Sequence, residues 1–287
     1  VAVTAHNYRY APSSQKIKAL LEEGAIGKAR SIVFQEMLDQ RHGSSYFRRW
    51  NRKKANSGGL LVHKACHCFD LMNWWVGSRA KTLVARGSLT AYGPHASAFR
   101  GERCCECEHT AYCPQYLDLS KSNLRARFYL KAREPGSYTP DLCVFDPEID
   151  IEDHATVGYE YENGVQVTFD LCAYTAYEGV HVAIEGSKGR LEYVHGLSTK
   201  ALDKGVQHGV EKRTAETLRL LRFDQGGEEI EIPEVEGGHG GADPAMLRDL
   251  FGNEPTNARA SLEDGIQAVL IGAAANVSIA EGRPVDV

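Results

Sequence analysis

Long apolar runs are missing from this chain of 287 residues. None approaches the roughly 18 residues a bilayer-crossing helix requires, so no membrane span and no membrane partner are expected. The chain opens on VAVTAHNYRY, with no charged stretch leading into an apolar core, so no secretory leader is expected. An excess of basic charge is also absent. A formal net charge of -5 and a pI of about 6.1 exclude a general nucleic-acid binder. No unit recurs at solenoid spacing. The first residue is not methionine and the chain enters a β-like run at once, so a piece of something longer is expected. Cysteine does not occur after Cys172, although eight cysteines stand in local clusters up to that point. Without a leader these are expected in a reducing cytoplasm, as free or metal-bound thiols.

What is present suffices for one large or two modest cores, with 43% hydrophobic residues. Val1 to Ala5 reads as a short strand. Ser13 or Ser14 could cap a helix running to Glu23, with Gly24 as its stop. A strand comes next at Ala29 to Leu38. Asp39 to Asn56 is polar, basic and aromatic and reads as an ordered loop. An apolar helix spans Gly58 to Gly77, and a strand lies at Lys81 to Ala85. From about Gly87 to Asp146 periodicity fades, in a segment holding five cysteines. Alternating runs then flank Glu162-Asn163-Gly164, and others flank GSKG, both hairpin signals. Leu218 to Phe223 and Glu229 to Ile232 complete a meander. Helices at Pro244 to Leu250 and Leu262 to Ala280 end the chain. This order predicts an α+β fold, with a predominantly antiparallel open-faced sheet and helices packed on one side. Its other face is left for a partner subunit.

The run GGLLVHKACHCFDLMNWWVG at Gly58–Gly77 is chemically unusual. His63, His67 and Asp70 interrupt an apolar helix at spacings of four and three, which places them on one face. A buried helix rarely carries titratable groups unless they line a polar pocket. The competing reading of His67 is a satisfied core histidine. His63, His67 and Asp70 also have metal-ligand spacing, although no third distant ligand accompanies them.

The pattern GG-x-L-x-x-x-x-x-H-x-x-D-x-x-x-W-x-x-G in this run resembles the Gfo/Idh/MocA oxidoreductases, named for glucose–fructose oxidoreductase and inositol dehydrogenase. The opening VTAHNYRYAPSSQKIKALLEEGAIGKARSIVFQ resembles the family's domain junction. YENGVQVTF and VAIEGSKGRLEY resemble its sheet hairpins. GGHGGADPAMLRDLF and the last helix, with Gly282-Arg283-Pro284-Val285, resemble its end. The resemblance covers nearly the whole chain except the cysteine-bearing segment at about 87–146, which suits an insertion.

The resemblance implies that residues 1–287 are the C-terminal substrate-binding and oligomerisation domain. The family's N-terminal Rossmann domain, with its Gly-rich loop and Glu-Lys-Pro motif, is not found here, and GGHGG comes after no β-run. No cofactor-binding residue is therefore expected in this chain. The intact protein is expected to use NAD or NADP to oxidise or reduce the CH–OH group of a sugar, cyclitol or polyol. Two other readings stay open: an NAD-dependent glycosidase of the same superfamily, and a non-catalytic ligand-binding or scaffold module. By resemblance, His67 is the acid/base or hydroxyl-orienting residue and Asp70 orients it. His63 stands where many members have a carboxylate and could relay the proton. Arg9, with Tyr10, would clamp substrate or else form a structural ion pair. Lys64 could bind an acidic substrate, and His239 could reach the pocket from its glycine-rich loop. A homo-oligomer formed through the open sheet face is the implied assembly.

Two further groups stand out. Arg48, Arg49, Arg52, Lys53 and Lys54 form a basic cluster, either a solvated face or a site for an anionic substrate or cofactor phosphate. Cys104, Cys107 and Cys113 have chelating spacing, with His109 or Cys143 as a fourth donor. They read either as ligands of a structural zinc or as free thiols.

Overall fold

The computed structural model describes residues 2–96, 98–131, 138, 140–197, 214–252 and 256–287. The expected opening strand starts on Val1, outside the described residues, and is observed as β1, Val3–Thr4. Helix α1 spans Pro12–Glu22 and strand β2 spans Ala29–Asp39. Helix α2, Gln40–Phe47, occupies what the sequence suggested was loop. A 3-10 turn at Trp50–Arg52 and a single helical turn at Lys54–Ser57 lead to two helices, α3 at Gly59–His63 and α4 at Cys66–Val76. Strand β3 covers Ala80–Ser88, and after the cysteine-bearing segment come β4 (His154–Tyr161), β5 (Gln166–Thr175), β6 (Gly179–Gly186) and β7 (Gly189–Leu197). Strands β8 (Thr214–Arg222) and β9 (Gly226–Ile230) precede helix α5, Ala242–Phe251. The chain closes with β10 (Ala260–Ser261), helix α6 (Leu262–Glu281) and β11 (Val285–Asp286).

Nine strands form one sheet in the order β11-β3-β4-β5-β2-β6-β7-β8-β9, and β1 pairs separately with β10. Every pairing is antiparallel except β2 with β5. The period of two sorts the residues by face. One continuous row, Leu83, Tyr159, Val167, Ile32, Ile184, Leu191 and Leu220, is buried throughout. The next row, one residue along each strand, emerges on the opposite face and includes exposed Val84 and Val33.

The helices cover the buried face. Phe69 of α4 packs on Phe169 with ring centroids 4.8 Å apart, and Trp75 lies 6.4 Å from Phe34. Ser278 of α6 accepts from the Ala85 backbone N–H at 2.9 Å. No helix among the described residues is long and apolar enough to cross a membrane.

The single Gly58–Gly77 helix is corrected to two. Gly58 and Gly59 take φ of 72° and 76°, left-handed conformations that turn the chain into α3. At the far end of α3 the Ala65 N–H reaches back five residues to the Leu60 carbonyl at 2.8 Å. That wide turn adds a residue to the helical count and rotates α4 relative to α3 by about 100°. His63 and His67 therefore leave the shared face that a continuous helix would give them.

Gly272 of α6 is where α6 crosses α3. A Cβ there would overlap the Leu61 carbonyl oxygen and press on Val62 Cα at 3.1 Å. Gly272→Ala should destabilise the fold by about 1–3 kcal/mol, the range for overpacking a close contact. Urea denaturation would measure this, and an unchanged midpoint would contradict the crossing.

Candidate functional site

The turn at Asn7–Tyr10 lays its side chains against α4. Arg9 donates from Nε to Asp70 Oδ2 and from Nη2 to Asp70 Oδ1, both at 2.7 Å, with both side chains buried. Its Nη2 also lies 3.5 Å from Asp264 Oδ1 on the first turn of α6. The Arg9 fork is thus engaged structurally. Burial raises the Asp70 pKa to about 6 against the lowering effect of Arg9. With a guanidinium closed on both oxygens, Asp70 is a carboxylate at neutral pH.

His6 carries the influence of Asp70 to His67. Its Nε2 faces Asp70 Oδ1 at 3.7 Å, and its Nδ1 lies 3.4 Å from His67 Nδ1. A carboxylate beside Nε2 favours the tautomer with its proton there. His6 Nδ1 then accepts from His67 Nδ1–H, and His67 Nε2 is left as a bare acceptor. Burial lowers the pKa of each ring to about 4, helped by Arg9 at His6 and by Lys64 at His67. Both imidazoles are neutral at pH 7. Asp70 and His67 are thus linked at one remove, through a histidine that the motif did not mark.

Beside His67 stands a second polar group. Its ring lies 5.2 Å from that of Tyr8, tilted by 31°. Tyr8 Oη accepts from Lys64 Nζ at 2.6 Å, and Lys64 Nζ lies 2.8 Å from Glu36 Oε1. Cys68 Sγ donates to the other Glu36 oxygen at 3.3 Å. Lys64 and Glu36 are buried. Burial opposes the Lys64 charge, but Glu36, Tyr8 and Cys68 together hold its pKa above the ordinary lysine value. The Tyr8 pKa is raised, chiefly by burial, so its hydroxyl stays protonated.

The remaining expected residues lie around this centre. His63 is exposed and meets Tyr46 and Trp50 edge-on, at 5.9 and 5.7 Å between centroids. Tyr46 continues to His42, whose Nδ1 lies 2.8 Å from Glu178 Oε1. Tyr10 is buried and donates to Asp249 Oδ2 at 2.5 Å, so its hydroxyl is already committed. His239 is exposed, with φ of 50° and Nδ1 2.7 Å from Asp243 Oδ2. Asn7 donates to the other Asp243 oxygen at 3.0 Å, which ties the glycine-rich loop to the His6–Tyr8 turn.

Of the basic cluster, Arg52 and Lys53 reach Glu148 at 3.2 and 2.9 Å, and Lys54 pairs with Glu152. Arg48 is buried and donates to Cys104 Sγ at 3.3 Å and to the Gln115 carbonyl.

The zinc expectation for Cys104, Cys107 and Cys113 is not upheld. No group of three or more His, Cys, Asp or Glu side chains among the described residues is placed to hold a metal ion. The Cys104 sulfur faces Arg48, and the Cys107 sulfur accepts from the His109 N–H at 3.4 Å. The immediate surroundings of His67 and Lys64 are His6, Tyr8 and Glu36, which the sequence did not single out, while Arg9 engages Asp70 and His63 faces Tyr46 and Trp50. Glu36 did leave a signal: it occupies a core-facing position between Phe34 and Leu38.

Residues 18–287 match the model of the oxidoreductase family's C-terminal alpha/beta domain. YteT of Bacillus subtilis (strain 168), which bears the name of an oxidoreductase, is 35% identical over 299 aligned residues, covering 98% of this chain and 68% of that protein. Levoglucosan dehydrogenase superposes with a TM-score of 0.61 at 18% identity, over 98% of this chain and 65% of that one. An oxidoreductase from Agrobacterium radiobacter, solved with NAD+, L-tartaric acid and magnesium, gives 0.57 at 18% identity, over 99% and 64%. The aldose–aldose oxidoreductase of Caulobacter crescentus, solved with glycerol, gives 0.57 at 14%, over 98% and 62%. The chain thus spans less than two thirds of the length of these solved structures.

The histidine environment yields a pH test. The unfolded chain protonates these rings near 6.5, whereas the folded chain resists until about 4. Their contribution to stability is therefore complete above pH 6.5 and drains as pH falls toward 4. Asp70, raised from 3.8 to about 6, acts in the opposite sense between those values. In an NMR titration the ring signals of His6 and His67 should hold their neutral shifts to about pH 5 and move only below it. A midpoint near that of free histidine at either ring would overturn the assignment.

Proposed function

The chain belongs to the Gfo/Idh/MocA family of oxidoreductases, and from that premise we propose that residues 1–287 form the substrate-binding and assembly part of an NAD(P)-dependent enzyme. That enzyme oxidises or reduces the CH–OH group of a sugar, cyclitol or polyol. The cysteine-bearing segment at about 87–146 is an insertion in this domain, and the dinucleotide-binding domain is supplied by chain outside residues 1–287. The observation that carries the reading is the set of proton-handling groups at one place: a neutral His67 whose Nδ1 faces His6, in tilted ring contact with a Tyr8 whose oxygen is held by a charged Lys64.

The residues fit a nicotinamide in part. His67 and Tyr8 present two flat, polar rings to a ring of similar size, while no loop among the described residues is assigned to the dinucleotide phosphates. When bound, the nicotinamide supplies hydride transfer at the carbinol carbon.

The chain's own residues handle the hydroxyl. Lys64 donates into the Tyr8 oxygen, which leaves the Tyr8 hydroxyl proton free to point at a substrate oxygen. His67 Nε2 accepts the carbinol proton or orients it, and His6 with Asp70 fixes which nitrogen is available. Glu36 holds Lys64 in place from the sheet. His239, on the glycine-rich loop, is near enough to His67 to add to the lowering of its pKa, and His63 extends the site from α3. The names of the similar structures, a levoglucosan dehydrogenase and an aldose–aldose oxidoreductase, support a sugar-like substrate. Assembly proceeds through the open sheet face, where Val33 and Val84 are exposed.

Two measurements test this. In the intact protein, a panel of sugars, cyclitols and polyols should include one that reduces NAD(P)+, and His67→Gln should lower kcat for it by about 10²–10⁴. Wild-type turnover by that variant would remove His67 from the mechanism. Val33→Asp should lower the mass seen by light scattering to that of a smaller assembly, and an unchanged mass would place the interface elsewhere.

A further inference from the structure

Helix α2 has a second face, turned away from His42 and Tyr46. Gln40, Arg41, Ser44, Ser45, Arg48 and Arg49 line one wall of a cleft of about 410 Å³. The opposite wall comes from the cysteine-bearing segment, with Tyr116, Arg125, Phe128 and Tyr129. Four arginines therefore converge, and among the described residues no aspartate or glutamate lines the cleft. Arg48 is buried and fixed by Gln115 and Cys104, so it is a rigid part of the wall. Among the described residues, no ion pair engages Arg41, Arg49 or Arg125. Elsewhere the protein balances such charge: Arg52, Lys53 and Lys54, a few residues along, are all answered by carboxylates. Concentrated, uncompensated guanidinium in a concave space is unfavourable unless an anion enters it.

We propose that this cleft binds the carboxylate of an acidic saccharide, a uronate-containing sugar chain. Three features select that chemistry. Arginine presents a planar fork that matches a carboxylate edge-on, and among the described residues no lysine lines the cleft. The N-terminus of α2 is not open to a phosphate, because Asp39 already accepts from the His42 N–H at 2.7 Å. Tyr116 and Phe128 are 40% and 59% exposed beside the arginines, and aromatic faces of this kind stack on the apolar faces of sugar rings. Gln40, Ser44 and Ser45 add neutral partners for hydroxyls. The inference goes beyond the oxidoreductase reading and does not depend on it, since the cleft lies off the His67–Lys64 centre and binding is measured without turnover.

The test is calorimetry on the intact protein with digalacturonate, a neutral disaccharide, glucose 6-phosphate and inorganic phosphate, at low and high salt. Digalacturonate should bind tightest, and its affinity should fall as salt rises. The double variant Arg49→Ala/Arg125→Ala removes two outward-facing cleft arginines, and its thermal melt, compared with wild type, reports whether it folds. A folded variant should lose at least about tenfold in digalacturonate affinity, the loss expected for a charge-assisted fork. If that variant does not fold, Arg125→Gln alone carries the same expectation. Equal binding of the neutral disaccharide, tighter binding of either phosphate, or full affinity in the folded variant would each overturn the proposal.

Discussion

The buried pair of Arg9 and Asp70 is the contact on which the candidate site rests. Two hydrogen bonds of 2.7 Å join the turn at Asn7–Tyr10 to helix α4, between elements about sixty residues apart in sequence. Desolvating both ions costs free energy that their attraction roughly recovers, so such a pair adds little net stability over an apolar substitute. What it adds is direction. A guanidinium and a carboxylate in fork geometry accept one relative orientation, whereas apolar side chains accept many. The turn is thereby fixed, and with it His6 and Tyr8, the two residues that flank His67.

From that anchor the polar groups form one connected system rather than a set of separate residues. Asp70 faces His6, His6 faces His67, His67 lies against the tilted ring of Tyr8, Tyr8 takes a hydrogen bond from Lys64, and Lys64 meets Glu36 on the sheet. Each buried charge is answered by an opposite charge, as burial demands. Both histidines are neutral by default, because burial and neighbouring cations act in the same direction on each. A neutral His67 is a hydrogen-bond acceptor of weak basicity. In the proposed proton transfer its part depends on the tautomer that Asp70 and His6 favour more than on its intrinsic strength as a base.

Much of the fold was legible because its signals are local. The turn at Asn163–Gly164 was readable from the dipeptide alone, and Gly164 takes the positive φ of 84° that such turns use. The final helix shows its Ser261–Asp264 capping box in the sequence itself. The less local features were not readable. Nothing in an alternating pattern gives strand direction, so the parallel pairing of β2 with β5 was invisible. Helix α2, QRHGSSYF, has a glycine, two serines and no strong apolar period. It forms because Phe47 stacks on Tyr92 with centroids 4.2 Å apart and because Gly43 lets the helix close on the Ala173 carbonyl. At the site, the family pattern drew attention to His63, His67 and Asp70, but spacing could not reveal the five-residue turn that separates His63 from the other two. His6 was missed because it reads as an ordinary residue of its segment, and Glu36 was missed although it stands at a core-facing position between Phe34 and Leu38. Only the three-dimensional meeting of those segments makes them partners.

Helix α2 shows how one element can serve two surfaces. With 3.6 residues per turn, His42 and Tyr46 fall on one side, toward His63, while Arg41, Ser44, Ser45 and Arg48 fall on another, toward the cysteine-bearing segment. Gly43 and Phe47 hold the remaining side against the sheet and Tyr92. The cysteine-bearing segment that supplies the opposite wall is tied down on either side of the cleft residues in sequence. The Asp153 carboxylate accepts from the backbone N–H groups of Thr90, Ala91 and Tyr92 at 2.8, 2.6 and 3.0 Å, and Arg103 pairs with buried Asp141 at 3.1 Å. Ordering so much irregular chain has an entropic cost that local secondary structure does not offset. These buried carboxylate contacts fix the chain at residues 90–92, 103 and 141, and the stretch between Arg103 and Asp141 supplies the wall that faces α2 across the cleft. The cysteines fit the same account without a metal: Cys104 lies buried against Arg48, and it helps hold that guanidinium in the wall of the cleft.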